Sequence, residues 1–142
     1  MGNSTTFLTL PAHRLLGTQL VYAEKKVDFS FESTASGNTI DVLRLPKGCI
    51  PLMIGAIANT HQDTVTYAID VPTASITGLP ATAHTADNQV LMTTAGADDD
   101  EGGFVTKLLA AEDTLRVTIG AATASTAVVT FFCVYAVSDV AR

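Results

Sequence analysis

The chain has 142 residues, 47% of them apolar and only 15% charged, with a net charge of −6. That length suits one domain whose core needs no disulfide or metal staple. The acidic balance argues against a nucleic-acid binder, because phosphate contacts need clustered Lys and Arg and the only adjacent basic pair is Lys25-Lys26.

Residues 1–26 lack clean periodicity: Met1 to Thr6 is polar, Pro11 breaks any early helix, and Leu15, Leu16 and Leu20 are scattered. This predicts an N-terminal arm over 1–26 that orders against a neighbour, with a short helix over 12–20 as the alternative. From Val27 a period of two begins, with Val27, Phe29 and Phe31 alternating with Asp28, Ser30 and Glu32. Residues 33–38 read as a turn, Thr39 to Leu45 as a strand, and Pro46-Lys47-Gly48 as a tight turn. Ile50 to Asn59 is an apolar run with Pro51 near its start, where a missing donor is tolerated. Val65, Tyr67, Ile69 and Val71 form the clearest amphipathic strand. Pro72 and Pro80 bracket a predicted loop containing Ile76 and Leu79. Gln89 to Thr94 is a weaker strand, Asp98-Asp99-Asp100-Glu101-Gly102-Gly103 a loop, and Phe104 to Leu109 a strand or short helix. Thr114 to Ile119 alternates again, with Leu115, Val117 and Ile119 inward.

The closing run, Ala127 to Val137, is apolar on both faces. Val129, Phe131, Cys133, Tyr135 and Val137 point one way; Val128, Phe132, Val134 and Ala136 point the other. One face can fill a core. The other requires a cover, from the fold or from another subunit. The mean hydropathy of +0.32 makes the same demand of the whole surface. Arg116 to Asp139 encloses no charge, but its first half, Val117 to Thr126, is small and polar, so strand–turn–strand is preferred to a membrane span. The start of the chain lacks the basic head and apolar core of a signal peptide, which predicts a cytoplasmic site of folding. Cys49 and Cys133 then read as reduced, buried, small hydrophobes, with a disulfide between them as the alternative. Short strands separated by turn signals predict an all-β, single-domain antiparallel sandwich over 27–142, with the extended arm before it.

Catalytic, cofactor and metal motifs are missing. His13, His61 and His84 stand in separate segments without metal-ligand spacing, and no nucleophile elbow, C-x-x-C, P-loop or dinucleotide fingerprint occurs. Several carboxylates in Asp98–Glu101 could wrap calcium, but they lack the EF-hand spacing and read as a solvated hairpin tip. Met1-Gly2-Asn3-Ser4-Thr5-Thr6 matches a myristoylation pattern without the polybasic second anchor, and Asn3-Ser4-Thr5 is a sequon without a secretory signal.

The run Asp41-Val42-Leu43-Arg44-Leu45-Pro46-Lys47-Gly48-Cys49-Ile50-Pro51-Leu52 is a strand, a Leu-Pro-x-Gly turn and an apolar strand. Val65–Val71, Asp113–Ile119 and the final strand follow it. Together these resemble the capsid decoration, or cement, proteins of tailed bacteriophages over about residues 27–140. The resemblance implies a jelly-roll-like β-sandwich, a non-enzymatic homotrimer bound to the major capsid protein on the virion exterior, with no nucleic-acid or membrane partner. Under this reading Leu8, Leu10, Leu15, Leu16, Leu20, Phe132 and Val134 are the candidate interface residues. The chain departs from the family in its long leucine-bearing arm. Rival readings are a head-fibre base, neck or tail component, a carbohydrate-binding sandwich and a hydrolase. The absence of Trp counts against the carbohydrate binder.

Overall fold

β-Branched and aromatic residues at every second position stiffen the chain into strands and give each strand an inner side. A computed structural model describes residues 18–30, 35–62, 65–96, 103–121 and 126–138. Eight strands run through them: β1 Thr18–Asp28, β2 Thr39–Leu45, β3 Cys49–Thr60, β4 Thr66–Val71, β5 Ile76–Thr82, β6 Val90–Thr94, β7 Asp113–Ala121 and β8 Val128–Ser138. They form two antiparallel sheets, ordered β1-β8-β3-β6 and β2-β7-β4-β5. First pairs with last, second with seventh, third with sixth and fourth with fifth. The pairs alternate between the sheets, so the chain behaves as one long hairpin wrapped into a two-sheet jelly roll.

The core lies between the sheets. Val129, Phe131, Cys133 and Tyr135 of β8 point into it, as do Tyr67, Ile69 and Val71 of β4 and Leu115, Val117 and Ile119 of β7. Phe131 stands edge-on to both Tyr67, at 5.1 Å and 81°, and Phe29, at 6.4 Å and 70°, the geometry that sets a positive ring edge on a negative ring face. Cys49 and Cys133 are both free and buried here, as the sequence led one to expect. The β2–β3 turn falls where Pro46-Lys47-Gly48 predicts it, with Gly48 at φ +85°, a left-handed conformation that suits glycine.

Three expectations need correction. Thr18–Lys26, assigned from sequence to the arm, forms most of β1, hydrogen-bonded along β8 from Thr18↔Ser138 to Asp28↔Val128, so neither a loose arm nor a helix describes it. Its periodicity is masked because both faces of β1 carry apolar side chains: Val21, Ala23 and Val27 inward, Leu20 and Tyr22 outward. The loop predicted between Pro72 and Pro80 holds most of β5, which starts at Ile76 and runs through Pro80 to Thr82. β5 is an edge strand paired only with β4, where proline is tolerated, and its register shifts break the alternation. Phe104 to Leu109 is neither strand nor helix. Phe104 makes one isolated bridge to Ala95, while Leu109 exchanges backbone hydrogen bonds with Gly48 and Cys49. Both side chains are nonetheless core. The rest of the predicted arm (Leu8, Leu10, Leu15 and Leu16 with it) and the acidic run Asp98–Glu101 lie outside the described residues.

Candidate interaction face

The outer surface of the β1-β8-β3-β6 sheet is built by register. Tyr22, Val134 and Met53 line up across β1, β8 and β3; Phe132, Gly55 and Met92 line up across β8, β3 and β6; Thr130, Ile57 and Val90 form the next row. Leu20 lies opposite Ala136 at one end. In a surface sheet these outward positions are ordinarily polar. Here the ionic side chains among them are Glu24, Lys26 and Asp28, all on the edge strand β1. Leu20 is 70% exposed, Tyr22 53%, Met92 52% and Val90 49%.

Phe132 sits at the centre of this face and is only 4% exposed. Tyr22 stacks over it, with ring centroids 5.7 Å apart and planes at 28°. Gly55 makes room beneath: a Cβ there would come within 2.6 Å of Phe132 Cζ and 2.7 Å of Met92 Cβ. The Tyr22 hydroxyl donates to Glu24 Oε2 at 2.8 Å, which holds the ring in place over Phe132. Thr130, the polar residue of β8 on this side, donates to Asn59 Oδ1 at 2.7 Å and is satisfied within the chain. The face is therefore an ordered apolar platform whose polar groups near its centre are already engaged.

The outer surface of the β2-β7-β4-β5 sheet is unlike it. Arg116 of β7 lies in register between Asp41 of β2 and Asp70 of β4. Its Nε and Nη2 donate to the two Asp41 oxygens at 2.7 and 3.2 Å, and this hydrogen-bonded guanidinium holds the Asp41 carboxyl below the usual range. Burial pushes the Asp70 carboxyl up, with Arg116 opposing. Thr39, Thr66, Thr77, Thr114 and Thr118 occupy strand positions of this sheet, and Arg44 pairs with Glu112 at 2.7 Å. One side of the sandwich is made for water and the other is not.

Several of the described groups that could do chemistry are engaged in structure. Asp113 accepts from the backbone N–H of Thr73, Ala74 and Thr114 at 3.4, 2.8 and 2.8 Å, pinning the β4–β5 turn to the start of β7 beside a cleft of about 230 Å³. Buried His84 shares a hydrogen bond with the buried Tyr67 hydroxyl, while His61 pairs with Asp87 at 2.8 Å. Burial pushes the Cys49 thiol up to about 11 and the Cys133 thiol up to about 12, which removes both as nucleophiles at neutral pH. Among the described residues no three His, Cys, Asp or Glu side chains are grouped to hold a metal, and no helix is long and apolar enough to cross a membrane.

No protein-family model and no curated protein matches the chain. Solved structures do. The chain is similar to one in the capsid asymmetric unit of cyanophage Pam1, at 19% identity and a TM-score of 0.59, over 85% of this chain and 86% of that one. It is also similar to a chain in the capsid of Ralstonia phage GP4, at 13% identity and a TM-score of 0.61, over 84% and 85%. This likeness establishes the fold. The all-β sandwich expected from sequence is the architecture found, and it is one that chains of phage capsids share.

Of the candidate interface residues, the structure brings Leu20, Phe132 and Val134 onto the one apolar face. Phe132 is not its exposed surface, because Tyr22 covers it. Tyr22, Met53, Val90 and Met92 were missed. Their alternation within short segments was visible, but the pairing of β6 beside β3, which sets them next to β8, was not.

Proposed function

We propose that this protein is a non-enzymatic structural component of a phage virion that assembles through the outer face of the β1-β8-β3-β6 sheet. The observation that carries the reading is the contrast between the two outer faces: one is a threonine- and ion-pair-lined surface, the other an apolar platform with ionic groups only along β1. Stable protein contacts exclude charge from their centres in this way. The shared fold with chains of two phage capsids supports the virion as the setting. Within it, the role is that of a decoration protein, a trimer on the capsid exterior that binds the major capsid protein and stabilises the closed shell by binding it better than loose subunits. The test is copy number in purified virions. A decoration protein is present in on the order of hundreds of copies, whereas a neck, tail or fibre-base part is present in about a dozen or fewer. Absence from virions would overturn the virion reading.

A further inference from the structure

We infer that the apolar face of one copy is covered by residues 1–17 of a neighbouring copy. The inference rests on the assembly reading above and names the occupant of that face. Four observations point to it.

The first is position. β1 begins at Thr18, hydrogen-bonded opposite Ser138 at the end of β8, and its outward residues Leu20 and Tyr22 are the most exposed large apolar side chains on the face. Thr18, the residue to which residues 1–17 are joined, therefore stands at the end of the platform.

The second is reach. At about 3.3 Å per residue, residues 1–17 span up to roughly 55 Å. Four strands at about 4.8 Å spacing present a face some 15 Å between outer strand axes. The segment is long enough to leave one sandwich and cross another.

The third is composition. Phe7, Leu8, Leu10, Leu15 and Leu16 supply apolar side chains for a surface that has no charge across β8, β3 and β6. The fourth is charge. Residues 1–17 contain Arg14 and no carboxylate, in a chain of net charge −6. The segment is the part of the molecule that a second acidic copy attracts, and Glu24 on the edge of the face offers Arg14 a counter-charge. An arm that reaches the face of a neighbouring copy joins two copies by exchange, as a reciprocal pair or, where the rotation closes, as a ring.

The experiment uses the full chain with a photo-crosslinking benzoylphenylalanine replacing Leu10 in one preparation and Leu15 in another. Each is illuminated as a mixture of isotope-labelled and unlabelled chains. The expected result is peptides joining a labelled arm to an unlabelled face, at or beside Tyr22, Met92 and Val134, from a particle heavier than one chain. In the full chain, Leu10→Asp with Leu15→Asp is expected to weaken self-association at least tenfold while the sandwich keeps a cooperative thermal transition. Crosslinks confined within single chains, crosslinks to the threonine-lined face, or no crosslinks and a native mass of one chain would each overturn the inference. Incorporation into shells separates this from the assembly reading. If Met92→Lys abolishes incorporation while crosslinks stay within chains, the arm is wrong and the face remains the assembly surface. If Met92→Lys leaves incorporation intact, the assembly reading itself falls.

Discussion

Gly55 shows how much one missing side chain decides. It lies on β3 between Phe132 and Met92, and both approach closer than any Cβ would allow. Gly55→Ala is expected to force Phe132 out from under Tyr22 and cost about 1–3 kcal/mol, the usual penalty of overpacking, read as a lower urea midpoint at constant slope. Removing the ring beneath the opposite face costs more: Phe131→Ala, at the junction of Phe29 and Tyr67, is expected to destabilise by about 3–5 kcal/mol in the same measurement. His84 adds a pH dependence. Burial, with His61 nearby, lowers its pKa from the ordinary 6.5, so the unfolded chain takes up that proton before the folded one does. Its contribution is complete above 6.5 and is lost as the pH falls from there toward the folded value. Unfolding free energies at about pH 7.5 and about pH 5.5 should differ in the wild type, and His84→Gln should flatten that difference. Asp28, Asp41 and Asp87 have lowered values, so their losses begin only below 3.8 and do not overlap this window.

At the scale of elements, the boundary of the sandwich is the point to test. β1 contributes Val21, Ala23 and Val27 to the core and covers the edge of β8. Removing residues 1–26 therefore strips an edge strand and is expected to abolish cooperative unfolding, whereas removing 1–17 should leave the calorimetric transition in place. Strands with one apolar face were plain in the sequence. β4 and β7 alternate cleanly, and the two-faced β8 declared itself by having no polar side. β1 and β5 were hidden for different reasons. β1 places Leu20 and Tyr22 on the side where a surface strand should be polar, which reads as scatter. β5 carries Pro80 and two register irregularities, and its place at the edge of the sheet, which makes proline acceptable, is a fact of pairing that no local pattern contains. The interaction face was legible only in part for the same reason. Phe132 and Val134 lie in one segment, but Tyr22, Met53 and Met92 join them through hydrogen-bonded neighbours drawn from across the chain.

At the scale of the molecule, apolar contact competes with charge. Copies with a net charge of −6 repel one another at long range, while the apolar platform proposed to meet a neighbour attracts only at contact. Self-association is therefore expected to strengthen as ionic strength rises from about 0.01 to about 0.5 M, because the Debye length contracts from roughly 30 Å to a few ångströms. Sedimentation velocity across that range checks it; association that weakens with salt would mean that ion pairs, and not the apolar platform, hold the copies together. The nested pairing of strands also governs the order of events at the ribosome. β8 leaves it after the other seven described strands, yet it sits between β1 and β3 inside its sheet. Until β8 emerges, β1 has no strand to pair with and the flank of β3 stands open. The polypeptide cannot mature piece by piece as it is made. It closes in one late step, slowly, with greasy strands waiting in the interval, and any product cut short before Val128 is an orphan for the chaperones and proteases of the cell that makes it.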